Sequence, residues 1–413
     1  MRRLLATAGV SVLTLACAGS ESTTLASGPA LIIENQRPLR EGDQAWRVDS
    51  SPLLTIGAGE GLAAQGDTMF EFNEITGAFV LADGRIVVAD MGSSSLRFYS
   101  EAGAFLSAVG RKGDGPGEFR QIMGFHRLRG DTLVVNDNLA ELDWFAPDGG
   151  LIKSGSSGGD GAGPVQVAAI LADGTPIAVE LAGFEQRGRY QERKLTIQRV
   201  DARRARVDSL VTLLASQETP RRPGVMSQHF EFTPLLLLEG AGELLVTANT
   251  AVYQLDLRDR NGALIRSIRR SATPEPITAA MKSQARERGI RTREEGLSPD
   301  DPRWIRKREA FYDSDPFPDQ LPLIHDIVAT ESGELWVRQY DAEHELTKSF
   351  TVAAPWSDVE SRWDVFGADG RWITTVQLPG RFSLLDATND RVLGLTVNDD
   401  DEQGVRMYRL IKP

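Results

Sequence analysis

The sequence predicts an all-β protein, a closed ring of six four-stranded sheets that form the blades of a β-propeller. Three observations lead to this prediction. Short apolar runs repeat along the chain, Asp-Gly-like pairs recur at two positions of the repeat, and one strand-like run near the N-terminus stands outside the repeats. The chain has 413 residues, of which 41% are hydrophobic, and all-β rings of this length can form one domain.

The clearest repeat is ITGAFVLADGRIVVADMGSSSLRFYSEAGAFLSAVG, residues 75–110. Its four apolar runs are separated by three turn signals, which is typical of four short antiparallel strands. Looser copies begin with IMGFHRL, VAAILADG, TPLLLLEG, LIHDIVATESG and FSLLDAT. In the fourth copy, PLLLL at 234–238 is predicted as a short buried strand that ends at Glu239 and Gly240.

Turn pairs separate the first and second strands at 83–84, 173–174 and 332–333. They separate the third and fourth strands at 148–149, 261–262 and 369–370. Asp and Asn before Gly favour positive φ values, so we expect two-residue hairpins at these pairs.

The sixth copy supplies only three strands. The run AWRVDSSPLLTIG, residues 45–57, is also strand-like, and we predict that it pairs with the last strand. This pairing would complete the sixth blade and remove the open sheet edges of an incomplete ring. The alternative is five blades with an unrelated N-terminal hairpin.

The glycine-rich stretch GRKGDGPGEF, residues 110–119, lies between the first two repeats. It is not a phosphate-binding loop, because Pro116 and Gly117 follow Gly115 where a lysine and a hydroxyl are required. It resembles the punctuation between blades of NHL-type repeats. The body of the chain, residues 44–413, resembles bacterial six-bladed, NHL-like propellers, often found in lipoproteins. This resemblance implies a fold and not a chemistry, because propellers host many unrelated functions.

The N-terminus carries an export signal, in which MRR precedes the apolar run LLATAGVSVLTLA. Cys17, the only cysteine, follows LTLA, which resembles a bacterial lipobox with Thr14 where Leu is usual. We predict a lipoprotein-type signal peptide over 1–16, lipid attachment at Cys17 and a flexible tether over 17–43. The protein would then be exported and anchored, facing the periplasm or the cell exterior. The alternative is cleavage after Ala18, which leaves no anchor.

The formal net charge is −12, and without Arg2 and Arg3 it is 44 basic minus 58 acidic residues, or −14. Phosphate contacts need clustered cations, so the composition argues against nucleic-acid binding. We expect a monomer that meets the membrane only through its N-terminal lipid.

Residues 271–321 interrupt the repeats between blades four and five. PITAAMKSQARERGIRTREEG predicts one helix and DPRWIRKREAFY a second. This helical insertion is either a lid or docking arm over one face of the ring, or a solvated insertion without a partner.

Six residues are candidates for the channel or for ligand binding. They are Asp90, His126, Asp137, Asn249, His325 and Asp326. His126 and the His325-Asp326 pair fall in the first strands of blades two and five, which are opposite in a ring of six. Imidazole and carboxylate groups could bind a divalent cation there.

Asp90, Asp137 and Asn249 follow second strands. The resemblance to lactonase-like propellers implies that such residues hold Ca²⁺, whereas the alternative is that they cap turns through their own backbone.

The sequence contains no G-x-S-x-G and no H-E-x-x-H motif. We therefore predict a non-enzymatic cell-envelope propeller, without a cofactor, that binds a peptide, protein or glycan. The alternative is a Ca²⁺-dependent hydrolase or lactonase that uses the channel mouth. A third possibility is a structural subunit of an envelope assembly, docked through the insertion.

Overall fold

The computed structural model describes residues 30–61, 66–137, 141–156, 166–188, 190–201, 206–218, 232, 234–294, 302, 317–347, 349–350 and 355–413. The predicted signal peptide and Cys17 lie outside the described residues, as does most of the second predicted helix.

The described residues form six sheets of four or five strands and two helices. Two strands precede the first complete blade, β1 (Leu31–Asn35) and β2 (Arg47–Gly57). Blade 1 contains β3 (Ile75–Val80), β4 (Ile86–Asp90), β5 (Ser95–Tyr99) and β6 (Phe105–Val109). Blade 2 contains β7 (Ile122–Arg127), β8 (Leu133–Asp137), β9 (Glu141–Phe145) and β10 (Leu151–Ser156). Blade 3 contains β11 (Gln166–Ile170), β12 (Pro176–Arg187), β13 (Tyr190–Asp201) and β14 (Arg206–Glu218).

The second half of the ring carries both helices. Blade 4 contains β15 (Leu236–Ala241), β16 (Leu244–Asn249), β17 (Gln254–Arg258) and β18 (Leu264–Arg270), and helix α1 (Ala279–Glu294) follows it. Blade 5 contains β19 (Ile324–Ala329), β20 (Leu335–Gln339), β23 (Ser361–Phe366) and β24 (Trp372–Leu378). Helix α2 (Ala342–Thr347) and the short pair β21 (Ser349–Phe350) and β22 (Pro355–Trp356) lie between β20 and β23. Blade 6 contains β25 (Phe382–Ala387), β26 (Arg391–Val397) and β27 (Gln403–Ile411). No helix within these described ranges is long and apolar enough to cross a membrane.

The all-β, six-bladed propeller that the repeats predict is confirmed. The fourth strand of blade 6 is β2, which runs antiparallel to β27 with Leu54 opposite Met407 and Ile56 opposite Val405. The two backbones approach closely, because a Cβ added at Gly404 would lie 2.5 Å from the carbonyl oxygen of Ile56. Strand β2, near the start of the described chain, and β27, its last strand, thus share one sheet.

The folded body begins earlier than the sequence indicated. Strand β1 adds in parallel to β18 as a fifth strand of blade 4. The Asn35 side chain accepts a hydrogen bond from the Trp372 backbone N–H at 2.9 Å, and the Leu39 N–H donates to the Trp372 carbonyl at 2.9 Å. The tether predicted over 17–43 is therefore wrong for residues 31–43, because these bonds fix that segment to blades 4 and 5.

The hydrophobic core lies between neighbouring blades. Phe98, Phe119 and Phe145 fill the space between blades 1 and 2, while Trp336 and Trp363 are buried between blades 5 and 6. Each buried aromatic side chain contributes roughly 1.5–3 kcal/mol through removal from water. A Cβ at Gly110 would lie within 3 Å of the Phe119 ring, so the glycine-rich stretch is the predicted inter-blade connection that admits this ring.

The Asp-Gly pairs form turns of a different kind from those predicted. Gly84 has φ +85° and the other five glycines of these pairs have φ between +83° and +88°, but the residues before them do not have positive φ. In the first blade the Gly84 N–H donates to the Leu81 carbonyl at 2.9 Å, and Asp83 accepts from the Arg85 N–H at 3.0 Å. These are three-residue loops, in which a type I turn ends in a left-handed glycine.

The two ends of the ring differ. Strands alternate in direction, so the first-to-second and third-to-fourth turns share one end, which we call the tight-turn face. The opposite end, the capped face, receives α1, α2 and the long β12–β13 hairpin. There Ile277, Ala285, Phe317 and Leu321 form a satellite apolar cluster. The Tyr190 hydroxyl at the hairpin tip donates to the Phe317 carbonyl at 2.8 Å.

Candidate functional site

The first strands of the six blades surround the central channel. Six residues occupy one level of these strands, because each lies two positions before the residue that closes the first hairpin. They are Phe79, His126, Ala169, Glu239, Val328 and Asp386. The three titratable members, His126, Glu239 and Asp386, belong to blades 2, 4 and 6, so they alternate with apolar residues around the ring.

A cavity of about 490 Å³ lies at this level. Its wall includes His126, Arg127 and Glu239 together with apolar residues of all six first strands. Arg129 and Gly242, which belong to first-to-second turns, also line it, so the cavity extends to the tight-turn face.

Glu239 is the acidic group at the centre of the cavity wall. Burial raises the pKa of its carboxyl to about 8, the nearby Asp326 carboxylate adds to this, and a hydrogen bond from the Ala329 N–H opposes it. The sequence predicted that the strand ends before Glu239, but β15 continues through Glu239 to Ala241. Gly240 allows this course, because a Cβ there would lie 2.7 Å from the Ile170 carbonyl of blade 3.

His126 enters the cavity wall from blade 2. Its ring folds back over the preceding strand residues, and a Cβ at Gly124 would lie 3.0 Å from Nε2. Burial lowers the pKa of His126 to about 4, so the imidazole is neutral at pH 7. Neutral imidazole can both donate and accept a hydrogen bond.

Asp386 is paired with Arg127. Guanidinium Nη2 lies 2.9 Å from Oδ1 and Nη1 lies 3.0 Å from Oδ2, and the Val80 N–H also donates to Oδ2 at 3.0 Å. Arg127 Nη1 donates to the Val80 carbonyl at 2.7 Å, and the guanidinium stacks 4.8 Å from the Phe79 ring. This pair joins blades 6, 1 and 2 and neutralises both charges.

His325 and Asp326 do not share the cavity wall with His126. Nε2 of His325 lies 2.9 Å from Oε1 of Glu345, and its Nδ1 lies 3.4 Å from Nη1 of Arg338. Since Glu345 belongs to α2, this contact holds α2 on the capped face. Asp326 accepts a hydrogen bond from the Ile327 N–H at 2.8 Å, and its charge acts on Glu239.

The other three predicted site residues bind the adjoining backbone. Asp90 accepts from the N–H groups of Asn73 and Glu74 at 3.2 and 2.9 Å. Asp137 accepts in the same way from Arg120 and Gln121 at 3.0 and 2.6 Å.

Asn249 accepts from the Ala251 N–H at 3.0 Å. The Asn249 contact fits the turn-capping alternative, whereas the carboxylates of Asp90 and Asp137 bind backbone 16 or 17 residues earlier and hold the segment that enters the first strand of the same blade. Ca²⁺ takes six to eight oxygen ligands. Among the residues that the structure describes, no group of three or more His, Cys, Asp or Glu could hold a metal ion.

Sequence analysis missed Arg127, Glu239 and Asp386. Each is a single charged residue in an otherwise apolar first strand, within GFHRL, LLLLEG or SLLDA. A charged residue flanked by apolar residues in a strand that lines a channel is the signal that could have identified them.

Residues 70–129 match the sequence model of a family described as 6-bladed beta-propeller. No curated protein matches the sequence. Among solved structures, a member of a domain family of unknown function from Bacteroides vulgatus is 9% identical, with 90% of this chain and 100% of that chain covered and a TM-score of 0.52.

A candidate exported protein from Bacteroides fragilis is 11% identical, covers 93% of this chain and 100% of its own, and has a TM-score of 0.47. Virginiamycin B lyase from Staphylococcus aureus is 8% identical, with 81% and 94% covered and a TM-score of 0.37. At these identities the similarity to the Bacteroides vulgatus protein shows the propeller fold alone.

Proposed function

We propose that this chain is an exported, non-enzymatic binding protein whose ligand site is the central cavity. One observation carries the proposal. A cavity of about 490 Å³ lies at the ring centre, and His126 and Glu239 enter its partly apolar wall from separate blades. Small-ligand pockets generally have volumes of roughly 300–1,000 Å³ and combine apolar walls with a few convergent polar groups.

The chemistry of these polar groups favours binding. At neutral pH His126 is an uncharged imidazole and Glu239 is largely protonated, so each offers one donor and an acceptor. Arg127 and Asp386 form hydrogen bonds with each other and with the Val80 backbone. The cavity thus presents fixed hydrogen-bonding groups, which suit recognition of the ligand.

A ligand panel tests this proposal by thermal unfolding. The panel contains neutral sugars, uronic acids, amino sugars and N-acetylated dipeptides, and the variant Ala168→Trp fills the cavity, which Ala168 lines. Leu106→Trp on the outer strand β6, where Leu106 is 51% exposed, is the matched control.

We expect at least one compound to raise the melting temperature of the wild type and of Leu106→Trp, and not of Ala168→Trp. The proposal fails if no compound shifts the wild type, or if the shift survives in Ala168→Trp.

We also propose, from its N-terminal residues, that the protein is exported and carries a lipid at Cys17. The charged start, the apolar run and the lipobox-like LTLAC support this. Cys17→Ser should move the protein from the membrane fraction to the soluble fraction and abolish labelling by a lipid precursor. Unchanged fractionation and labelling would mean that Cys17 is not the attachment site.

A further inference from the structure

Every arginine that lines the cavity already has a partner. Arg127 is paired with Asp386. Arg129 lies 3.3 Å from Glu243, and Arg266 donates to the Ala368 carbonyl at 2.6 Å. An anionic ligand at the central level would therefore have to displace Asp386 before it met the Arg127 guanidinium, while Arg129 and Arg266 lie at the rim.

Cationic ligands meet a similar obstacle. Glu239 is the carboxyl group of the central wall, and its surroundings favour the protonated form. The carboxylate that acts on it is Asp326, one position before Ile327 in the first strand of blade 5, and Glu331 lies at the rim of the cavity. An ion placed at the centre without a counter-charge would lose its hydration without compensation.

Apolar side chains form much of the remaining wall, which Thr76 and Thr330 also line. Phe79 and Phe125 form a tilted pair with ring centroids 5.0 Å apart, and Leu384, Leu385 and Val328 continue the surface. The central level of the site therefore combines apolar side chains with the hydrogen-bonding groups of His126 and Glu239. A pyranose ring matches this combination, because its hydroxyl groups surround faces that consist of C–H bonds.

We infer that the central cavity binds an uncharged sugar, whose hydroxyl groups bond to His126 and Glu239 and whose C–H face packs on the Phe79 side. This inference rests on the proposed function and names the ligand class of the same site. It favours a compact ligand over an extended peptide, because the polar groups lie on one level of the ring and not along a groove.

The affinity should depend on pH in a defined direction. The pKa of Glu239 is raised to about 8, so its carboxyl donates a hydrogen bond below that pH and loses its proton above it. The pKa of His126 is lowered to about 4, so its ring becomes a cation only below that pH. Binding should be tightest between these values and weaken on both sides.

The groups that act on Glu239 are Asp326 and the Ala329 N–H. His126 and Arg127, which is paired with Asp386, line the same cavity, while Arg129, Arg266 and Glu331 lie at the rim. Asp326 would add repulsion to an ionised Glu239. Glu239→Gln keeps the shape of the side chain and a donor, and it removes the titration.

Calorimetry on the wild-type protein gives the direct test. Glucose, galactose and mannose are each compared with the corresponding uronate and 2-amino sugar at pH 6.5, and the best neutral sugar is then titrated from pH 6 to pH 9.5. We expect the neutral member of one series to bind at least about tenfold more tightly than its charged relatives. We also expect affinity to fall above pH 8, a loss that disappears in Glu239→Gln and persists in the control Glu41→Gln, a surface glutamate.

The other outcomes distinguish failure of the sugar inference from failure of the proposed function. If a charged sugar binds as tightly as the neutral one, and Ala168→Trp abolishes it, the inference fails and the proposed function stands. If only a peptide of the panel binds through the cavity, the sugar class is wrong. If nothing binds there, both the inference and the proposed function fail.

Discussion

Arg127 and Asp386 show how a charge pair can hold the ring together at the scale of single residues. Their side chains are 6% and 1% exposed, and together with Val80 they connect three blades across the channel wall. Taking two charges out of water is unfavourable, and the attraction between them offsets this only while both partners remain. The pair is therefore sensitive to the loss of either member.

Asp386→Asn should lower the free energy of unfolding by about 3–5 kcal/mol, because Arg127 would stay buried without a counter-charge. The measurement is denaturation in guanidinium chloride. Glu101→Gln is the control, since Glu101 pairs with Arg391 at the surface and its loss should change stability by less than about 1 kcal/mol. The double variant Arg127→Met/Asp386→Leu should recover part of the lost stability, because it removes both buried charges but also removes the partners of the Val80 N–H and carbonyl. Equal effects of Asp386→Asn and Glu101→Gln would contradict this account.

At the scale of elements, the sequence predicts the turns, strands and helix that depend on residues close together in the chain. The turn glycines Gly84, Gly174 and Gly370 take the left-handed conformation that Asp-Gly pairs favour, and the strands beside them alternate as the pattern predicts. The helix predicted from the run after Pro276 is present as α1. Its packing on the capped face could not be read from the sequence, because the charged run gives no apolar stripe.

The elements that sequence analysis missed depend on distant partners. Strand β1 is a strand because β18 pairs with it, although more than 200 residues separate Asn35 from Arg269 in sequence. Helix α2 has six residues, too few for helical periodicity, and it depends on the contact between Glu345 and His325.

The candidate site also depends on residues that are distant in sequence. His126 could be identified because a histidine is unusual in an apolar first strand, but Glu239 resembled the end of its strand. Only the ring geometry places these two side chains in the wall of one cavity.

At the scale of the whole molecule, the ring depends on a sheet built from both ends of the described chain. Strand β2 packs Ile56 into the apolar cluster shared by blades 6 and 1, where Val405 and Met407 of β27 also lie. If β2 separates from β27, that cluster opens and an unpaired edge of β27 is exposed. An exposed edge can pair with another chain, so loss of closure should also promote aggregation.

Gly404→Ala tests this dependence with one methyl group. The new Cβ would lie 2.5 Å from the Ile56 oxygen and 2.6 Å from the Ala58 nitrogen, and backbone atoms in a sheet cannot move aside without loss of pairing. We expect the free energy of unfolding to fall by about 1–3 kcal/mol and the amides of β2 to exchange faster with deuterium. Gly155→Ala in β10 is the matched control, because its Cβ would meet only the Trp144 ring, at 3.4 Å. If both variants are equally stable and β2 keeps its protection, the ring does not depend on the β2–β27 pairing.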